Sequence, residues 1–218
     1  VRAAVRNMLA MRDQAVDETL EFLHTNLTGF IRFDGDRIPV KVIVAPDGYL
    51  VLPVMEAMLH AADVVLELPD DGTESLQLMV TLQRMDPDGA FAGLCDRWSA
   101  YHGEPEDVRW ARVEIDASRF RDWFVDGEAL LQPNPLAREE LSLLKLLNAQ
   151  PRTFLQSFCA TNKVPCENPI AVGLTDCGVD VRRAHDVVRL EFPMRLEQAA
   201  QVRSFIQGDA APFTPGMA

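Results

Sequence analysis

The chain has 218 residues, 48% of them hydrophobic and 25% charged, ordinary globular proportions that exclude wholesale disorder and collagen-like structure. Its 33 acidic against 21 basic residues leave a formal charge of -12. Nonspecific nucleic-acid affinity comes mostly from basic groups that neutralise phosphates, so no nucleic-acid partner is expected. No apolar run approaches the roughly 20 residues that span a bilayer, so no membrane is expected either.

Arg2 to Thr25 contains no Gly or Pro, and Val5, Leu9, Val16, Leu20 and Leu23 recur at helical spacing, which predicts an amphipathic helix. Phe30, Ile31 and Phe33 then lead into Asp34-Gly35-Asp36, a tight hairpin turn signal. Ile38–Val44 reads as a β-branched strand that closes at Pro46-Asp47-Gly48, and Tyr49–Val54 as the next. Met55–Ala62, rich in Ala, Met, Glu and Leu, predicts a short helix. Val64–Leu68 is a short apolar strand that ends at Pro69-Asp70-Asp71-Gly72.

The clearest strand runs from Ser75 to Gln83, with Leu76, Leu78, Val80 and Leu82 on one face and Gln77, Thr81 and Gln83 on the other. That alternation, broken only at Met79, belongs to a sheet with one buried side. Ala90–Tyr101 reads as a helix stopped by Gly103, and Trp110–Ile115 as a further strand. Short strands separated by Asp/Gly/Pro turns suggest a closed or nearly closed antiparallel barrel.

After Gln132 the pattern changes. Asn134 and Pro135 form a helix start, followed by Glu139 and Glu140 in the first turn and a stripe of Leu136, Leu141, Leu144 and Leu147. Pro151 opens a second helix through about Asn162. Ile170–Leu174, Val179–Arg182 and Val187–Phe192 read as strands, with turns at Asp176-Cys177-Gly178 and around His185-Asp186, and Leu196–Ile206 as a last helix. The result is an α+β chain whose second part is a small α-α-β-β-β-α domain with its own layered core. The predicted layout is an N-terminal helix over 1–26, the barrel domain over 27–132, the α/β domain over 133–207 and a flexible tail over 208–218.

The opening Val1-Arg2-Ala3-Ala4-Val5-Arg6 is charged ahead of any long apolar core, which reads as no secretory signal. Cys95, Cys159, Cys166 and Cys177 include no Cys-x-x-Cys pair, so no metal site is expected and reduced thiols in a cytoplasmic protein are the simplest account. The spacing of Cys159 and Cys166 permits a disulfide that a domain of this size does not require.

The most chemically varied stretch is Cys95-Asp96-Arg97-Trp98-Ser99-Ala100-Tyr101-His102. On a helix, Trp98 and Tyr101 share a face, as do Arg97 and Tyr101. Two uses are open: a ring-stacking wall for a planar ligand, or an amphipathic helix anchored by its aromatics. Arg182-Arg183 is a small basic group that suits a solvated turn. No Gly-rich phosphate loop, nucleophile elbow or His-Glu-x-x-His motif is present, and the catalytic residues are unknown.

Several phrases, in order, resemble one family. Gly29-Phe30-Ile31-Arg32-Phe33-Asp34-Gly35-Asp36-Arg37-Ile38-Pro39-Val40-Lys41-Val42 and Asp47–Leu52 resemble the first hairpin and following strand of the split β-barrel in pyridoxamine-phosphate-oxidase-related FMN-binding proteins. His60-Ala61-Ala62-Asp63 stands where the haem-utilisation (HugZ-type) branch often carries His followed by Asn. Leu144–Asn148, Thr175–Asp180 and Val188–Pro193 resemble the small C-terminal domain of that branch.

The resemblance implies an antiparallel split barrel followed by the α-α-β-β-β-α domain, a homodimer, and a planar cofactor, FMN or haem, held by Lys41, His60, Trp98, Tyr101 and His102. Two departures argue against a complete cofactor set. Flavin barrels place a cation on the second strand, which Lys41 supplies, and hydroxyls and cations after the third. Here Leu52–Leu59 has neither, and Glu56 repels phosphate. The haem branch uses a histidine near the C-terminal end, whereas the last His here is His185, and Asn148 is followed by Ala149-Gln150-Pro151 instead of an acidic-His pair. The expectation is therefore a barrel that has lost its flavin phosphate site and acts as a binding or regulatory partner. The alternative is an FMN- or haem-binding oxidoreductase or haem-degrading protein.

Overall fold

The computed structural model describes residues 2–69, 74–105, 108–149, 153–184 and 186–208. It is a mixed α/β chain with two compact units that part between Pro133 and Asn134. No helix among the described residues is long and apolar enough to cross a membrane.

The first unit opens with α1 (Arg2–Thr25), the span that its uninterrupted helical pattern predicts. Ala15, Val16, Thr19 and Leu23 make its buried face. Thr19 is tolerated there because its hydroxyl donates to the Ala15 carbonyl at 2.7 Å, which leaves no unpaired polar atom in the core. β1 (Thr28–Phe33) and β2 (Asp36–Lys41) form the expected hairpin. Asp34 and Gly35 both take positive φ, 47° and 89°, as a two-residue turn that matches the strand twist requires.

The strand read over Ile38–Val44 is in fact two. Val42 leaves the ladder to donate its N–H to the Leu27 carbonyl at 2.8 Å, and β3 (Ile43–Val44) pairs with β4 (Leu50–Val54) instead. The short helix read over Met55–Ala62 is a single 3-10 turn, Glu56–His60. Five residues between two strands are too few to repay α-helix nucleation.

β5 (Val64–Leu68) and β6 (Leu76–Met85) follow, with Leu76, Leu78 and Val80 buried and Met79 exposed, as the alternation predicts. α2 (Ala92–His102) stops at Gly103, whose φ is 85°. β7 is twice the expected length, Arg109–Phe120, and returns through Arg121-Asp122 into β8 (Trp123–Asp126), which the pattern had not revealed. α3 (Gly127–Leu130) closes the unit, capped by the Asp126 carboxylate.

All strand pairs in this unit are antiparallel, in the order β2-β1-β5-β6-β7-β4-β3, with β8 also on β7. The two ends of that path, β2 and β3, are separated by Val42 alone, so the sheet must curl until its ends meet. The outcome is a half-barrel sheet wrapped around Ile31, Leu50, Leu52, Leu66, Leu76, Leu78 and Phe120.

In the second unit, α4 (Glu140–Ala149) begins later than Asn134-Pro135 suggested. The Asn134 carboxamide does accept the Leu136 N–H at 3.0 Å, but it caps a run of turns rather than a helix. Glu140 is buried and spends its carboxylate on the Leu174 N–H at 3.0 Å instead of serving as a solvated charge at a helix end.

α5 (Thr153–Thr161), β9 (Ile170–Leu174), β10 (Gly178–Arg182), β11 (Val187–Glu191) and α6 (Ala199–Gln207) follow. The antiparallel sheet runs β11-β10-β9. Leu143, Leu147, Leu155, Phe158, Val181, Leu190, Val202 and Ile206 fill its core. Across the sheet Arg189 donates to Asp180 at 2.8 Å, with the two side chains only 5% and 7% exposed, and Arg189 also bonds the Thr175 hydroxyl. The helix start at Pro151, the turn residue His185, the Asp70-Asp71-Gly72 turn and the tail beyond Gly208 lie outside the described residues.

Candidate functional site

α2 carries three of the expected ligand residues, and the sheet decides what they face. The Trp98 indole N–H donates to the Lys41 carbonyl at 2.9 Å, and the His102 Nε2 lies 2.9 Å from the Val42 carbonyl. A carbonyl only accepts, so His102 carries its proton on Nε2. Burial pushes the imidazole down to about 4, against the Val42 hydrogen bond that favours the charged form, and the nearby Lys41 charge lowers it further. His102 is therefore neutral at pH 7.

Trp98 stacks edge-on against Trp110 at 5.6 Å, and the Tyr101 hydroxyl accepts from Arg97 at 3.3 Å. Trp98 and Tyr101 are both buried. Together these contacts clamp α2 on the one-residue junction where the sheet path begins and ends. Lys41 enters the cluster through its backbone, while its side chain is exposed.

His60 stands apart from this cluster, on the 3-10 turn, 3.2 Å from Glu56. The Glu56 carboxylate also meets Arg84 from β6 and, at 3.4 Å, Arg109 from β7. The Arg84 hydrogen bond leads in holding the Glu56 carboxyl below its usual range. The Leu52–Leu59 segment lacks a cation of its own, but the fold delivers two arginines to it. Neither could be read from the sequence, since Arg84 is 28 residues from Glu56 and arrives only through strand pairing.

A second feature had no sequence signal. An open cleft of about 220 Å³ lies between Tyr49, the middle of β7 (Val113–Ile115) and α3 (Gly127, Glu128), with Leu131 at its edge. Gly127 permits it, because a Cβ there would fall 1.6 Å from the Ile115 carbonyl oxygen. Beside it, Arg112 lies 3.5 Å over the Tyr49 ring and bonds Asp47 at 2.8 Å.

The lining offers two carboxylates and apolar walls, with no nucleophile and no cation. Its volume is below the roughly 300–1,000 Å³ of sites that enclose drug-sized ligands. Among the described residues no three His, Cys, Asp or Glu side chains are grouped to hold a metal ion.

No protein-family model matches the sequence, and no curated protein does either. Among solved structures, the chain is similar to the protein Atu2129 of Agrobacterium tumefaciens str. C58, a protein of unknown function, with 18% identity and a TM-score of 0.71. The match covers 89% of this chain and 94% of that one, and it shows a shared fold.

Proposed function

We propose that this chain is a split-barrel protein of the pyridoxamine-phosphate-oxidase-like, haem-utilisation type, with the small α-α-β-β-β-α domain after its barrel, that has lost the flavin phosphate site and acts as a cytoplasmic binding or regulatory partner. One observation carries the reading. Where a flavin barrel would present cations to a phosphate, the protein's own Glu56 carboxylate takes up Arg84, Arg109 and His60. An anionic cofactor would have to displace that carboxylate or bind beside it, and like charges at contact distance repel.

The aromatic wall supports the same reading. Trp98 and Tyr101 are buried, and the Trp98 and His102 N–H groups go to backbone carbonyls, so they hold the barrel shut rather than face a ligand. Homodimerisation is part of the proposal. Phe124 is 75% and Met79 43% exposed, and the strand register places both on one outer face of the sheet. A second copy would cover them.

The alternative, an FMN- or haem-binding oxidoreductase or haem-degrading protein, draws on the same cluster. Two arginines against one carboxylate leave one positive charge over. Titration of the purified protein with FMN and with haem, followed by absorbance and native mass, separates the two. A colourless dimer that ignores both ligands is expected. Stoichiometric FMN uptake, or a Soret band lost on replacing His60 or His102, would establish the alternative.

A further inference from the structure

The second unit holds two thiols in a built arrangement that neither the barrel nor the proposed binding role uses. α5 ends in a Schellman turn: Val164 N–H reaches back to the Cys159 carbonyl at 2.9 Å, and Lys163 N–H to that of Ala160 at 3.0 Å. Lys163 takes the left-handed conformation this turn demands, at φ 58°. The chain is thereby folded back over the helix end.

Two tethers pin the returning segment on either side of Cys166. Arg183 donates to the Pro165 carbonyl and the Gln156 carboxamide to that of Glu167, both at 3.1 Å. The Cys159 thiol is buried and hydrogen-bonds with the half-buried Cys166 thiol. The Arg183 guanidinium is near enough to act on both sulfurs.

From this geometry we infer that Cys159 and Cys166 form a redox-modification site, oxidised by a small-molecule disulfide of the glutathione class. The order of events follows from access and charge. Cys166, which water reaches, attacks as the thiolate beside the Arg183 cation. A Cys166–glutathione bond forms, the glutathione S–S bond breaks, and one glutathione thiolate leaves and takes a proton from water.

The Cys159 thiol then loses its proton to solvent and attacks the Cys166 sulfur, which closes the internal disulfide and releases the second glutathione. The protein gives up two electrons and one glutathione disulfide becomes two thiols. Burial, aided by the Cys166 hydrogen bond, pushes the Cys159 thiol up to about 12. The second step is thus the slow one, and the mixed disulfide accumulates first.

The test uses the full chain, reduced, then exposed to glutathione disulfide at neutral pH, with samples alkylated over time and mapped by mass spectrometry. Glutathione on Cys166 should appear first and give way to a peptide cross-linked between Cys159 and Cys166. Cys166→Ser should lose both species, and Cys159→Ala should keep the first and lose the second. The wild-type time course decides the matter even if a core substitution at Cys159 fails to fold. An unmodified Cys166, a mixed disulfide that never resolves, or a cross-link from Cys159 to another cysteine would each overturn the inference.

Discussion

The two units handle charge in opposite ways. In the first, every ion pair described keeps at least one partner open to water: Arg32 and Arg37 with Glu67, Arg84 and Arg109 with Glu56, Arg112 with Asp47, Arg121 with Glu18 and Glu74. The curled sheet encloses enough Leu, Ile, Val and Phe to form a core without them. In the second, the three-stranded sheet buries Arg189 and Asp180 together. Exposed pairs gain little, because water already solvates each charge. A buried pair is different in kind, since the loss of one partner strands the other in a medium that cannot solvate it. The lesson is that fragility to single charge changes should be concentrated in the smaller unit.

The comparison is broken most directly at that pair. Arg189→Met or Asp180→Ala should cost about 3–5 kcal/mol in urea unfolding followed by circular dichroism, and a loss below 1 kcal/mol would erase the contrast. All three tryptophans, Trp98, Trp110 and Trp123, lie in the first unit, so their fluorescence reads that unit directly. By that signal Gly127→Ala should cost about 1–3 kcal/mol, because its Cβ has no room against the Ile115 carbonyl.

Trp98→Phe removes the donor to the Lys41 carbonyl and should cost about 1–2 kcal/mol. His102 sharpens the same point through pH. Its folded pKa of about 4 lies below the ordinary 6.5, so between those values the unfolded chain binds a proton that the folded one does not. Stability is then fully present above pH 6.5, falls as the pH drops toward 4, and levels off below. A urea midpoint for His102→Gln with a flatter acid limb than the wild type is the expected result. The smallest effect belongs to the exposed cluster: Arg84→Ala should change stability by less than about 1 kcal/mol, and less still at high salt.

Much of the fold was legible where one residue type has one structural use. Asp34-Gly35 can hardly be other than a hairpin turn, and Leu76, Leu78 and Val80 alternate because only one face of β6 is buried. β8 escaped because Arg121-Asp122 turns the chain without Gly or Asn, Arg121 itself taking φ 53°. Asn134 was correctly read as a capping side chain, but what it caps is a series of turns.

At the candidate site, Trp98, Tyr101 and His102 were legible as neighbours on α2. Their acceptors at Lys41 and Val42 were not, since backbone carbonyls have no sequence signature. Arg189 and Asp180 read as ordinary strand charges until the register set them opposite each other.

What the sequence determined by itself is therefore local: helix spans, turn positions, the period of the buried faces, and the absence of a cation between Leu52 and Leu59. These depend on backbone sterics and on side chains a few residues apart, which the chain order specifies completely. What only the tertiary structure decided is the partner of each polar group: Arg84 and Arg109 for Glu56, the Val42 carbonyl for His102, Cys166 for Cys159. Strand pairing and helix docking bring those groups together across tens of residues, and a hydrogen bond or ion pair depends on distance in space rather than on separation along the chain.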